Sequence, residues 1–166
     1  MPDLTLVLGG ARSGKSLAAE RLLTALPPPW LYIATAQALD DEMRARIDDH
    51  RARRAAGWRT AEAPIDVPGA IGAAGAIPVL VDCLTLWLTN LMLGEHDIAA
   101  AAAALEQALA RDAPTVLVAN EVGLGIVPDN ALARRFRDEA GRLNQRMAER
   151  ASSVLFMVAG LPMRMK

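Results

Sequence analysis

At 166 residues, with 52% hydrophobic and 22% charged positions, the chain is long enough for one domain with a real core and too apolar to be disordered. A formal net charge of −1 and 4% aromatic residues give no footing for a nucleic-acid or membrane-surface partner. The single cysteine, Cys83, excludes an internal disulfide and any multi-cysteine metal site.

Taken in order, Leu4-Thr5-Leu6-Val7-Leu8 reads as a strand over about 3–8. Gly9-Gly10-Ala11-Arg12-Ser13-Gly14-Lys15-Ser16 follows and meets G-x-x-x-x-G-K-[ST] in full, and a helix then runs to about Ala25. Strand, glycine loop and helix in that order make a phosphate-binding P-loop. Gly9 and Gly14 let the backbone turn its N–H groups toward phosphate oxygens, and the helix adds its positive end. Lys15 can reach the β- and γ-phosphates, and the Ser16 hydroxyl can ligate Mg²⁺. Arg12 is a candidate contact for phosphate or for a partner subunit.

Pro27-Pro28-Pro29 stops the helix, and Trp30–Ala34 reads as a second strand leaving through Thr35-Ala36-Gln37. Asp40-Asp41-Glu42 opens another helix, with Leu39, Met43 and Ile47 as its apolar stripe and Arg46, His50 and Arg54 on the neighbouring line. It ends near Gly57, and Trp58–Glu62 suits a short extended segment. Residues 63–76 allow a short helix near 67–74. Residues 77–82 form a buried strand ending in an acid, Leu84–Leu93 has helical length, and 98–111 is an alanine-rich helix. Residues 114–119 are a further buried strand, ending in Asn120-Glu121 and a glycine loop. Asp129 is expected to cap a long helix reaching about Arg150, with Leu132, Phe136, Ala140, Leu143 and Met147 as its buried stripe. Gly141 within it suggests close packing. Residues 154–158 are a last core strand, and 160–166 suit a short edge strand.

Short apolar strands alternating with helices predict a single α/β domain over 1–166, a three-layer, mainly parallel sheet with helices on both faces. Ligands bind such sheets outside the strands' carboxyl ends. The P-loop, Thr35, Asp82 and Asn120-Glu121 all lie at such ends and are expected to converge on one crevice. No signal peptide or membrane span is visible, so a cytoplasmic location is expected.

Asp82 ends its strand as a Walker B acid does and can hold Mg²⁺ opposite Ser16; the other reading is a cap for the next helix. His50 is either a surface or packing histidine or a chemical one. Arg46, Arg51, Arg53 and Arg54 around it welcome an anion and favour the neutral ring, against Asp48 and Asp49. A neutral imidazole nitrogen can attack a nucleotide phosphate; the plainer alternative is a basic triphosphate clamp. His96 reads as a solvated loop histidine. Glu62 is either a surface acid or an acceptor for a base or ribose, and Glu121 can orient a substrate hydroxyl or a metal-bound water. Arg134, Arg135, Arg137 and Arg142 suit a solvated face, with room for one transition-state cation.

The ensemble is specific where the P-loop alone is not. It comprises Gly9 to Ser16, Tyr32-Ile33-Ala34-Thr35, Asp41-Glu42-Met43, Arg46-Ile47, His50-Arg51 and Trp58 to Glu62. It continues with Asp82-Cys83-Leu84-Thr85, Thr89-Asn90, Asn120 to Gly123, Gly125 to Pro128, Arg135 to Asp138, Gly141 and Asn144-Gln145. Together these resemble, over nearly the full length, the bifunctional adenosylcobinamide kinase/adenosylcobinamide-phosphate guanylyltransferase family of cobalamin biosynthesis. The resemblance implies a RecA-like P-loop fold, a homotrimer, and two reactions. ATP or GTP phosphorylates adenosylcobinamide; GTP then guanylylates a histidine, and GMP passes to adenosylcobinamide phosphate. It gives His50 the covalent role beside Lys15. It sets Gly9 to Ser16, Ala34, Thr35, Ala36, Arg51, Ala52, Arg53, Arg54, Glu62 and Asp82 around the nucleotide. Some relatives carry two adjacent histidines where this chain has Asp49-His50. The alternatives are a kinase-only P-loop phosphotransferase acting on another small-molecule hydroxyl and a RecA-like ATPase acting on nucleic acid, which the low aromatic content disfavours.

Overall fold

The computed structural model describes residues 3–37, 41, 44, 45, 47, 52 and 56–166. Among them, seven strands form one sheet in the order β3-β2-β4-β5-β1-β6-β7. They are β1 (Leu4–Gly9), β2 (Trp30–Ala34), β3 (Trp58–Glu62), β4 (Val79–Asp82), β5 (Thr115–Asn120), β6 (Ser153–Val158) and β7 (Leu161–Arg164). Every pairing is parallel except that of β7 with β6. The helices are α1 (Lys15–Thr24), α2 (Val67–Ala73), α3 (Leu84–Leu93), α4 (Ile98–Ala108) and α5 (Ala131–Arg150). Asp41, Arg44, Ala45, Ile47 and Ala52 are also helical.

The strands read as continuous apolar runs because both faces of the sheet are covered. Val7, Tyr32, Leu80, Val116, Val118 and Met157 pack with Ala19 and Leu23 of α1 on one face. Leu4, Leu6, Ile33, Val79, Val81, Leu117 and Val154 pack on the other against α2, α3, α4 and α5. The two-residue period of a strand makes this sorting. It also puts Ala34, Asp82 and Asn120, of the same parity as Tyr32, Leu80 and Val118, on the side of α1.

Four expectations need correction. The long helix is capped by Asn130, whose side chain accepts a hydrogen bond from the Ala133 N–H at 2.7 Å, not by Asp129. Asn130 has the extended backbone that this cap geometry needs. Leu132, in the first turn, lies beyond the core and is 59% exposed. Gly141 is not in tight contact: a Cβ there would meet nothing within 4 Å among the described residues. The alanine-rich helix ends at Ala108, and Arg111 turns back to donate to the carbonyls of Gly75 and Ile77 at 2.6 and 2.7 Å.

Candidate active site

The loop between β1 and α1 is built on close backbone approach. A Cβ on Gly9 would come within 2.6 Å of Ser13 Oγ and 2.7 Å of the Met157 carbonyl. Gly14 has φ 91°, and a Cβ there would lie 3.2 Å from Gly160 Cα. The Gly160 N–H donates to the Ser13 carbonyl at 3.0 Å, so the turn into β7 braces the loop from outside. No side chain caps α1, which leaves its first N–H groups for an anion. Ser13 Oγ is buried with no hydrogen-bond partner among the described residues, a polar atom suited to a ligand oxygen.

A cavity of about 340 Å³ opens beside this loop. Ala11, Arg12, Lys15, Ser16, Ala34, Ala36 and Asp82 of the sequence-derived set line it, together with Tyr32, Ile47, Cys83, Leu86, Val118 and Asn120. Lys15 is nearly buried, and its ammonium donates to the Gly10 carbonyl at 2.6 Å, with two further protons available to phosphate oxygens. Burial lowers the Lys15 pKa from its ordinary value, opposed by Cys83 and Asp82 nearby.

Asp82 is held from two sides. The Tyr32 hydroxyl donates to its Oδ2 at 2.7 Å. Behind it, the buried Thr35 hydroxyl accepts from the Cys83 N–H at 2.8 Å and donates to the Cys83 carbonyl at 2.7 Å. Asn90 Nδ2 in turn donates to the carbonyls of Thr35 and Pro64, both at 2.9 Å. Thr35 therefore sits under the cavity floor, fully buried, with its hydroxyl engaged by protein backbone. The Cys83 thiol is pushed up to about 12 by burial and then by the Asp82 charge, which makes it an unreactive core group at neutral pH.

Other expected site residues lie apart. Glu62 is exposed at the end of edge strand β3, in register with Ala34, and does not line the cavity. Glu121 Oε1 accepts from the Gly123 N–H at 2.7 Å and shapes the glycine loop. Arg134 holds the carbonyls of Pro128 and Asp129 at 3.0 and 2.8 Å, and Arg142 pairs with Glu139 at 2.9 Å. Ala52 is exposed and helical. His50, Arg51, Arg53 and Arg54 lie outside the described residues.

Ser16 and Asp82 offer a hydroxyl and a carboxylate oxygen to one cavity. Among the described residues, no group of three or more His, Cys, Asp or Glu could hold a metal. That combination fits Mg²⁺, which takes one or two protein oxygens and completes its shell with phosphate and water.

Asn120 lines the cavity, as its place at a strand's carboxyl end led one to expect, whereas Tyr32 reads from sequence only as a strand residue.

A family model described as cobinamide kinase / cobinamide phosphate guanyltransferase matches residues 5–165. The chain is 51% identical over 171 residues to the bifunctional adenosylcobalamin biosynthesis protein CobP of Pseudomonas aeruginosa, covering 97% of this chain and 96% of that one. It is 45% identical over 181 residues to the protein CobU of Salmonella typhimurium, which bears the same description, covering 98% and 99%. Among solved structures, a Pyrococcus horikoshii OT3 protein superposes with a TM-score of 0.57 at 9% identity, over 99% of this chain and 86% of that one. A solved ATPase domain superposes with a TM-score of 0.51 at 11% identity, over 93% and 69%. At such identities these two speak for the fold alone, a mainly parallel α/β sheet with helices on both faces.

Proposed function

The chain belongs to the cobinamide kinase / cobinamide phosphate guanyltransferase family and is a bifunctional transferase of adenosylcobalamin biosynthesis; from that premise we propose how its residues divide the two reactions. The observation that carries the proposal is the meeting of Lys15, Ser16 and Asp82 in one cavity at the carboxyl ends of the strands.

In the kinase step the P-loop N–H groups from Gly9 to Ser16 and the Lys15 ammonium hold the triphosphate of ATP or GTP, and Ser16 and Asp82 would hold Mg²⁺. The metal, when bound, neutralises charge that develops on the phosphate oxygens. The cobinamide hydroxyl oxygen bonds to the γ-phosphorus, the bond to the β–γ bridging oxygen breaks, and the nucleoside diphosphate leaves. Fixed donors do most of the catalysis, because phosphoryl transfer asks chiefly for in-line positioning and charge stabilisation.

In the guanylyl step a neutral His50 nitrogen attacks the α-phosphorus of GTP and pyrophosphate leaves. A phosphate oxygen of adenosylcobinamide phosphate then displaces the imidazole, so that one hard transfer becomes two easier ones. Ile47, three residues before His50 in sequence, lines the same cavity as Lys15, which supports this reading. The flanking segment Arg51, Ala52, Arg53 and Arg54 suits a triphosphate, with Ala34 and Ala36 lining the cavity and Thr35 supporting it from beneath.

The reading also carries a homotrimer in the cytoplasm, with no nucleic-acid partner. Two facts are in keeping with it: Leu93, Leu124, Ile126 and Leu132 are exposed, and no helix among the described residues is long and apolar enough to cross a membrane.

Two variants test the division. Lys15→Ala is expected to abolish phosphorylation of adenosylcobinamide. His50→Ala is expected to leave phosphorylation near the wild-type rate while GMP transfer to adenosylcobinamide phosphate disappears. Assaying both activities on each purified variant decides it; GMP transfer that survives His50→Ala would overturn the covalent role.

A further inference from the structure

We propose that Gly160, in the turn between β6 and β7, is a positioning residue of the kinase step. Its N–H holds the Ser13–Gly14 peptide so that the Gly14 N–H faces the cavity and donates to a phosphate oxygen of the bound nucleotide. The inference rests on the reading above that this cavity is where the triphosphate binds.

Three observations lead there. The first is contact. β6 pairs with β1 as far as Gly9, which is in register with Met157. A Cβ on Gly9 would meet the Met157 carbonyl at 2.7 Å, and a Cβ on Gly14 would meet Gly160 Cα at 3.2 Å. The end of β6 and its turn therefore lie against the P-loop at Gly9 and again at Gly14. The second is the turn itself. Val158 is in register with Leu161, which leaves Ala159 and Gly160 as a two-residue connection. Their φ angles are 52° and 80°. Positive φ at both central residues marks the tight hairpin turn whose twist matches that of its strands. Such a turn has one shape, so the sheet sets the direction of the Gly160 N–H.

The third is the plane of one peptide. The Gly160 N–H donates to the Ser13 carbonyl at 3.0 Å. The C=O and N–H of a trans peptide point in opposite directions. With the Ser13 carbonyl drawn to the turn, the N–H of the same peptide, that of Gly14, points away from it. Arg12 and Lys15, on either side of this peptide, line the cavity, whereas Gly160 does not. The Gly14 N–H therefore faces the cavity side. It makes no hydrogen bond to any described residue.

A peptide that ends in glycine turns over at little cost when nothing holds its carbonyl, because glycine accepts φ of either sign. Turned over, the Ser13–Gly14 peptide would aim a carbonyl oxygen at an anion and repel it. The Gly160 bond removes that alternative before nucleotide arrives, so the Gly14 donor is set in place in advance. Gly160 itself touches no substrate and acts only through the loop. The bond from Gly14 is made to an oxygen that is present both before and during transfer. A bond made alike in both states shows in KM and leaves kcat nearly unchanged.

The test uses the full-length protein with glycolic acid incorporated at position 160, so that an ester replaces the amide and the N–H alone is deleted. The control is the matching ester at Met165, whose N–H donates to the Val154 carbonyl at 2.8 Å, beside the same hairpin but away from the loop. Each is assayed with Mg²⁺, ATP and adenosylcobinamide, and for affinity toward a non-hydrolysable ATP analogue. The Gly160 ester is expected to raise the KM for ATP about 10-fold, the scale of one hydrogen bond to a charged group. Affinity for the analogue should fall by the same factor, with kcat within about twofold of wild type. The Met165 ester loses a comparable bond and is expected to keep the wild-type KM. Equal KM values in the two esters would mean a merely structural role and overturn the proposal. A second pair needs no ester. Gly160→Asn tolerates the left-handed φ and keeps the N–H, so its KM should stay near wild type; Gly160→Val resists that φ and should raise KM about 10-fold. Equal KM values in that pair also overturn the role of Gly160, while loss of phosphorylation in Lys15→Ala leaves the triphosphate reading standing. Phosphorylation that survives Lys15→Ala overturns both together.

Discussion

Tyr32 joins core to site within one side chain. Its ring packs edge-on against Trp58, centroids 6.0 Å apart, and its hydroxyl reaches Asp82 Oδ2 at 2.7 Å. A hydrogen bond to a carboxylate contributes roughly 1.5–3 kcal/mol, more than a neutral pair, so the phenol fixes where the carboxylate points. Tyr32→Phe keeps the ring and removes that hydrogen bond to Asp82. We expect the Mg²⁺ concentration that half-saturates the kinase to rise several-fold, and stability to fall by about 1 kcal/mol. A Mg²⁺ titration of the rate and a urea melt measure the two; an unchanged Mg²⁺ requirement would contradict the assignment of Asp82 as a metal holder. Lys15 and Ser16 were legible in the sequence because the P-loop spacing itself encodes their geometry. That Asp82 reaches the same cavity was legible because it closes an apolar strand at its carboxyl end. Tyr32 was not, because alternation says which way a strand residue faces but not what its far end reaches. Nor does the sequence show that the Thr35 hydroxyl is bonded to the backbone of Cys83, a contact between strand ends distant in sequence.

At the scale of elements, period and punctuation in the chain located most helices and strands, while their ends depended on local chemistry. Pro27-Pro28-Pro29 closed α1 as read. The choice between Asp129 and Asn130 as the cap of α5 depended on which residue takes the extended backbone, and adjacent Asp and Asn offer the same side-chain oxygen. Gly141 misled more usefully. A mid-helix glycine suggests a tight contact, but open space surrounds it in the described residues. Alanine there should restrict the unfolded chain and favour the helix with no clash. Gly141→Ala is accordingly expected to stabilise the protein by about 0.5–1 kcal/mol, raising Tm by about 2–3 °C for a chain of this size. A lowered Tm in a calorimetric scan would mean that the position is packed after all, against a neighbour outside the described residues or a second subunit. Strand order lay beyond the sequence: nothing local tells β1 to sit between β5 and β6, whose partners are more than a hundred residues away.

Across the whole molecule, the sheet gathers polar groups that the chain keeps far apart. Lys15 comes from the first crossover, Tyr32 from β2, Asp82 from β4 and Asn120 from β5, yet all four line one cavity on the α1 side. The single-domain α/β reading already implied such a crevice, since parallel strands carry their loops at one end. What it did not supply is the division of labour between a phosphoryl-transfer centre and a covalent histidine. We propose that His50 becomes guanylylated. The most direct measurement incubates the pure protein with Mg²⁺ and GTP labelled at the α-phosphate, denatures it, and follows the label on the chain. We expect retained label that is acid-labile and base-stable, as a histidine phosphoramidate is, and none on His50→Ala. Absence of label from wild-type protein shown to bind GTP, or label that persists on His50→Ala, would contradict the account.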